Sequence, residues 1–277
     1  MLLRLLHRSV RRQFRSLGFE SKSLSNPVST IHYLIREHSH PKGTIVLVHG
    51  LGTSSSTWVK MLPSLNKSHR MIAVDLPGFG FSTVNSERGF CTLSEHVEVL
   101  SSLMYAVTET PVILLGQSFG GWLCCRYAAS HRERVKHLVL VDTAGVYFPG
   151  VENLRELFTL RSVEDTRRLL NTLWHRYPWY FKPFAGSIFR ELESRKMNDL
   201  VASLGAEDFL LEELSRLRMP VSIIWGKQDA AMSMKSIDVL REYVPHSTVQ
   251  LIDQCGHVPQ LECPEKFASI LNGVLGE

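Results

Sequence analysis

The chain has 277 residues, a formal charge of +4, 44% hydrophobic and 21% charged residues, and neither low-complexity segments nor internal repeats, the composition expected of one globular core with an insertion. Of its 31 Lys and Arg and 27 Asp and Glu, five arginines and one acid lie in residues 1–20, leaving a body that balances at 26 of each. A neutral body excludes nucleic acid as a partner, because duplex binding needs several phosphate contacts, and five cysteines without a CxxC pair exclude a disulfide framework and a zinc site.

The first segment, residues 1–20, places Leu3, Leu6, Val10, Phe14 and Leu17 at spacings of three and four, with Arg4, Arg8, Arg11, Arg12 and Arg15 largely between them. That pattern predicts a basic amphipathic helix. Three readings remain open for it: a mitochondrial transit peptide, a helix on an anionic membrane surface, and a frayed terminus. No apolar run reaches the roughly 20 residues of a membrane span, and Arg4 interrupts any secretory core. The expected location is therefore intracellular, either mitochondrial or peripheral to a membrane.

From residue 28 onward, short β-branched runs alternate with helical periodicity, which predicts an α/β fold with a mostly parallel central sheet, flanking helices and an inserted helical cap. Ser29–Ile35, Thr44–Val48, Met71–Val74, Val112–Leu115, Leu138–Val141, Val221–Trp225 and Val249–Ile252 read as its strands, the last six nearly all apolar as doubly covered strands should be. Thr92 and Glu95 form a capping box opening a helix to about Val107, Phe119 to Ala129 reads as another, and Pro264 opens the last. The strand rhythm stops between Gly145 and Arg218. This stretch, with a helix after Ser162 and an aromatic, proline-broken turn from Tyr177 to Phe184, is the predicted cap. The expected organisation is residues 1–20 as the basic segment, 21–144 and 219–277 as the core, and 145–218 as the cap.

Gly116-Gln117-Ser118-Phe119-Gly120 lies between a predicted strand and a predicted helix, the setting in which G-x-S-x-G forms a nucleophile elbow. A tight turn there needs small flanks and presents the Ser118 hydroxyl at the carboxyl end of the sheet. A hydroxyl attacks only when a base takes its proton, and His257, on the loop after the last strand, is the candidate base. Its orienting carboxylate is expected between serine and histidine. Asp229, after the strand ending at Trp225, meets that order; Asp142, after Val141, is the rival; Asp253 ends the strand leading to the histidine and fits poorly. The oxyanion donors are expected to be the backbone N–H groups of Phe119 and Leu51, the latter in His49-Gly50-Leu51-Gly52, with His49 bracing its own loop. This chemistry calls for no cofactor and no metal.

Over residues 28–275 the chain resembles the α/β-hydrolase superfamily, through His49-Gly50, the loop Asp75-Leu76-Pro77-Gly78-Phe79-Gly80-Phe81-Ser82, the elbow, and Gly256-His257 in order. Ile223–Asp229 and Gln254–Phe267 resemble the monoacylglycerol lipase and carboxylesterase group of α/β-hydrolase-domain proteins. The resemblance implies a serine esterase acting on small lipid-like esters through Ser118, His257 and Asp229. Two features depart from that group: Gln117 stands where lipases often carry His or Thr, and the N-terminus lacks the membrane span of its animal members.

Similar families with an aspartate nucleophile, the haloalkane dehalogenases and epoxide hydrolases, are excluded by Ser118. The carbon–carbon bond hydrolases of aromatic degradation resemble Gly116–Gly121 and remain the enzymatic alternative, although they typically carry Asn before the serine and Trp after the histidine, where this chain has Gln117 and Val258. Cofactor-free haloperoxidase chemistry is a smaller alternative. From a different class, a non-catalytic ligand-binding protein could use the same fold.

Overall fold

The computed structural model describes the backbone of residues 2–148 and 150–276, and side chains from Ser9 onward apart from the two gaps. Nine strands form one sheet: β1 (Glu20–Ser25), β2 (Ser29–Arg36), β3 (Thr44–Val48), β4 (Arg70–Val74), β5 (Thr83–Val84), β6 (Val112–Gln117), β7 (Val135–Val141), β8 (Val221–Gly226) and β9 (Thr248–Ile252). Their spatial order is β1-β2-β4-β3-β6-β7-β8-β9, with β5 paired to β2. Every pairing from β4 through to β9 is parallel, while β2 runs antiparallel to β1, β4 and β5.

The central strands β3 and β6 are buried along their whole length. Their side chains feed two apolar cores, one on each face, as expected of a parallel sheet covered on both sides. One expectation needs correction. β9 is not doubly covered: as an edge strand it exposes Gln250 and Leu251. β1 and β5 escaped the sequence reading because Glu-Ser-Lys-Ser-Leu-Ser is a polar edge ribbon and β5 is two residues long, so neither carries an apolar run.

Along the sheet run α2 (Leu93–Val107), α3 (Phe119–Ser130), α9 (Lys235–Tyr243), the short α10 (Pro259–Glu262) and α11 (Pro264–Val274); between β7 and β8 lie α4 (Asn153–Phe158), α5 (Val163–Leu173), α6 (Ala185–Ser194), α7 (Met197–Ser203) and α8 (Leu211–Arg216). The α2 capping box is complete: the Glu95 N–H donates to Thr92 Oγ1 at 3.3 Å, and the Thr92 N–H donates to Glu95 Oε2 at 2.7 Å. Ser162 caps α5 by accepting from the Asp165 N–H at 3.1 Å.

The first helix, α1, spans Leu2–Ser16. The side chains of Leu3, Leu6, Arg4 and Arg8 lie outside the described residues. Beyond them the apolar stripe is already occupied: Phe14 is buried against Phe19 at 5.2 Å, with Trp58 and Val59 in the same core and Val10 and Leu17 packed beside it. Arg11, Arg12 and Arg15 face solvent, and the Arg11 guanidinium sits 4.7 Å over the Phe81 ring. This half of the segment is docked rather than frayed. Among the described residues no helix is long and apolar enough to cross a membrane.

Candidate active site

The elbow forms because β6 and α3 are joined by one residue. Ser118 adopts φ 53° and ψ −119°, a strained conformation for a side chain with a Cβ. Its N–H donates to the Val141 carbonyl at 2.9 Å, and its carbonyl accepts from Ala144 N–H at 3.1 Å and Trp122 N–H at 3.1 Å, so the strain is held from both sides. The flanking glycines are sterically required: a Cβ on Gly116 would run into the Gly120 carbonyl, and one on Gly120 into the Val48 carbonyl.

Gln117, which the sequence reading treated only as a departure from the lipases and the carbon–carbon bond hydrolases, ties two loops together. Its Nε2 donates to the His257 carbonyl at 2.9 Å, while its Oε1 occupies the space a Cβ on Gly50 would need. The elbow, the Gly50 turn and the histidine loop are thus fixed to one another by a single side chain.

His257 and Asp229 meet directly. Nδ1 of the imidazole lies 2.8 Å from Asp229 Oδ2, and both side chains are buried. The other carboxylate oxygen, Oδ1, accepts from Ala231 N–H at 2.8 Å and Met232 N–H at 2.9 Å, which aims the group at the ring. That contact fixes the tautomer with the proton on Nδ1 and Nε2 free to act as a base. Asp142 instead accepts from Gly226 N–H through Oδ1 at 2.8 Å, and Asp253 is exposed and paired with Lys227 at 3.4 Å. No hydrogen bond joins Ser118 Oγ to the imidazole among the described residues; a contact of this kind commonly tightens only with substrate in place.

The structure also ties the His257 loop to the helical insertion, through residues that the sequence did not single out. The His257 N–H donates to the Leu173 carbonyl at the end of α5 at 2.9 Å. Glu262 accepts from Gly256 N–H at 2.8 Å through Oε2 and from Arg176 N–H at 2.7 Å through Oε1, bridging α10 to the same stretch. A glutamate on a short helix after the histidine gives no pattern signal, which is why it was missed.

Leu51 and Phe119 both line the pocket that contains Ser118, and among the described residues neither backbone N–H has a hydrogen-bond partner. Unpaired donors facing a nucleophile can receive a developing oxyanion. His49 braces the turn as expected: Nδ1 is 2.8 Å from the Gly50 carbonyl and Nε2 accepts from Leu76 N–H at 2.9 Å. Burial pushes its pKa below the ordinary value, which keeps the ring neutral for both bonds.

The pocket has a volume of about 440 Å³ and is walled by apolar side chains, among them Trp122 from α3, Phe158, Val201 and Phe209 from the insertion, and Met232. Trp122 and Phe209 stack with ring centroids 6.0 Å apart, and the Trp122 indole N–H donates to the Asp208 carbonyl at 2.8 Å, so this wall is rigid. The charged residues among the described lining are Glu152 and Arg155.

A second serine, histidine, aspartate chain exists at the far edge of the sheet. Ser21 Oγ is 2.7 Å from His32 Nε2, and His32 Nδ1 is 2.8 Å from Asp75 Oδ2. It has none of the elbow's equipment: Ser21 lies on a flat edge strand, and the adjoining cavity is only about 30 Å³. Asp75 also accepts from the N–H groups of Ser55 at 2.7 Å and Phe81 at 2.9 Å, so the array braces two loops.

Asp142, Asp229 and His257 bring one carboxylate oxygen each from the two acids and a ring nitrogen within 4.8 Å of one another. The contact between Asp229 and the imidazole already satisfies two of the three through a direct hydrogen bond.

Comparison with known proteins agrees with this architecture. A family profile described as the alpha/beta hydrolase fold matches residues 43–214. The chain is similar to 2-hydroxymuconate semialdehyde hydrolase of Pseudomonas sp. (strain CF600), 28% identical over 265 residues that cover 88% of this chain and 91% of that protein. It is also similar to monoacylglycerol lipase ABHD6 of Bos taurus, 25% identical over 278 residues, with 93% and 82% covered. Among solved structures, a membrane phospholipase A described as a bacterial virulence factor superposes with a TM-score of 0.85 at 28% identity, covering 98% of this chain and 91% of that one. With the profile spanning more than half of its residues, the chain belongs to the α/β-hydrolase family.

Proposed function

We propose that the chain is a serine hydrolase that cleaves carboxylic esters with apolar, lipid-like acyl groups, as a monoacylglycerol lipase or carboxylesterase. The observation that carries this reading is the placement of a strained Ser118 in an apolar pocket of about 440 Å³, with a His257 and Asp229 pair bonded at 2.8 Å in the neighbouring loops. Ser118 Oγ attacks the ester carbonyl as His257 Nε2 takes its proton, and the oxyanion forms against the N–H groups of Leu51 and Phe119. His257 then protonates the departing alcohol, and water, deprotonated by the same imidazole, releases the acid from Ser118. Asp229 holds the tautomer and stabilises the imidazolium. Residues 145–218 serve as the cap, supplying the wall that selects the acyl group.

The test is a panel of p-nitrophenyl esters and monoacylglycerols of rising acyl length, run on wild type and Ser118→Ala together with fluorophosphonate labelling. Activity that rises with acyl length and vanishes in the variant supports the proposal. Folded wild type that neither labels nor turns over leaves the ligand-binding reading. The second enzymatic reading, cleavage of a carbon–carbon bond in a vinylogous diketone, draws on the 28% identity to 2-hydroxymuconate semialdehyde hydrolase and on Arg155 as a cation at the pocket wall. A ring-cleavage dienoate turned over faster than every ester would select it.

A further inference from the structure

At the tip of β7, Asp142 is completely buried, yet only one of its carboxyl oxygens is used. Oδ1 accepts from the Gly226 N–H at 2.8 Å, whereas Oδ2 has no hydrogen-bond partner. A buried polar atom left alone is costly and calls for an explanation. The backbone adds a second oddity: Asp142 sits at φ 43°, in the left-handed region that side chains rarely adopt. Strain of this sort persists where a side chain must be aimed.

What the Asp142 carboxyl sits beside is another acid. A carboxyl oxygen of Asp142, one of Asp229 and a ring nitrogen of His257 lie within 4.8 Å of one another. Two ionised carboxylates cannot bond and would repel; one proton between them turns the contact into a donor and an acceptor. Asp229 is committed to the charged role by its two backbone N–H bonds and by the imidazole. The proton therefore belongs on Asp142. Resting on the triad reading given above, we propose that Asp142 is a positioning residue whose Oδ2–H donates a hydrogen bond to the Asp229 carboxylate and so fixes the acid that orients His257.

The surroundings support that protonation state. Burial pushes the Asp142 carboxyl well above its ordinary range, and the negative charge of Asp229 adds to the effect, with Glu262 contributing in the same direction and the Gly226 N–H opposing. The remaining titratable neighbours are His257 and the Cys255 thiol; the latter is itself pushed up by burial, with Asp142 among the minor contributors.

Two substitutions separate the outcomes. Asp142→Gly removes the carboxyl while suiting φ 43°, and is expected to lower kcat on a short p-nitrophenyl ester about tenfold with KM within about twofold. Asp142→Asn keeps both bonds, with its amide oxygen on Gly226 and its NH₂ on Asp229, and is expected to restore most of that loss. It should leave the midpoint of the acidic limb of kcat/KM against pH within about 0.3 unit of wild type, because no charge has been removed.

Stability gives a readout independent of catalysis. A carboxyl whose folded pKa is raised stabilises fully below its unfolded pKa and loses that contribution as pH climbs toward the folded value. Asp142→Asn carries no such penalty, so it should melt above wild type at pH 8, and the gap should narrow toward pH 5. Four results would overturn the proposal: wild-type kcat in Asp142→Gly, an Asn variant as impaired as the Gly one, an acidic limb displaced downward by about one unit in Asp142→Asn, or wild-type activity lost to EDTA and regained with zinc. If Asp142→Gly does not fold, the Asn profile and melting curves decide. Failure of the triad itself reads out separately, as turnover retained in Ser118→Ala.

Discussion

Around Ser118 the chain has no spare room. A Cβ on Gly116 or Gly120 would collide with backbone carbonyls, and Gln117, Val141 and Ala144 pin the turn from both sides. The helical insertion is built to a looser standard. It consists of short helices with Trp179 78% exposed and Tyr180 50% exposed, and it gives the pocket apolar surface tied to the core at points such as the Asp208 and Leu173 carbonyls. The contrast maps onto the proposed division of labour: the reacting groups stand at strand ends, where placement must be accurate, and most of the apolar wall stands on the insertion.

The most damaging way to test that division is Ser118→Ala, for which a loss of about 10⁶ in kcat is expected with folding intact by circular dichroism. Asp229→Asn should follow with about 10⁴, since the wrong tautomer of His257 would be favoured while the geometry survives. If Asp229→Asn were nearly silent and Asp142→Asn severe, the roles of the two strand-end acids would be exchanged. In the insertion the effect should depend on substrate: Phe209→Ala is expected to cut kcat/KM about tenfold for a long acyl ester and to leave an acetyl ester within about twofold, as measured on matched p-nitrophenyl esters. Equal losses on both would mean that this wall positions the reacting carbonyl. Smallest of all, Thr92→Ala should remove about 1 kcal/mol from stability in urea melts without changing kcat, because it loses one N-cap far from the pocket.

The same contrast explains what the sequence disclosed. Every central strand was legible, because parallel strands are apolar runs, and the elbow, His257 and both candidate acids could be named from their places at strand ends. Chain order left both Asp142 and Asp229 open, since each follows a strand between Ser118 and His257, and the 2.8 Å contact from Asp229 to the imidazole is a product of folding that order does not encode. Edge strand β1 was illegible for the opposite reason, since a ribbon open to solvent is polar. The tethers Gln117 and Glu262 were invisible as well: each spans more than five residues in sequence or joins separate loops, and nothing local requires an amide or a carboxylate at those positions. The docking of Phe14 and Leu17 could not be told from a stripe awaiting a membrane, because both are written with the same periodicity.

The hydrogen bond from the His257 N–H to the Leu173 carbonyl has a consequence for exchanging parts among relatives. It makes the end of α5 a strut under His257, so a graft that replaced the segment after residue 145 wholesale would import a new pocket wall and also reset the position of the imidazole. Splices placed on either side of Leu173 to Arg176, leaving those residues native, should move substrate preference while the machinery beneath stays where it is.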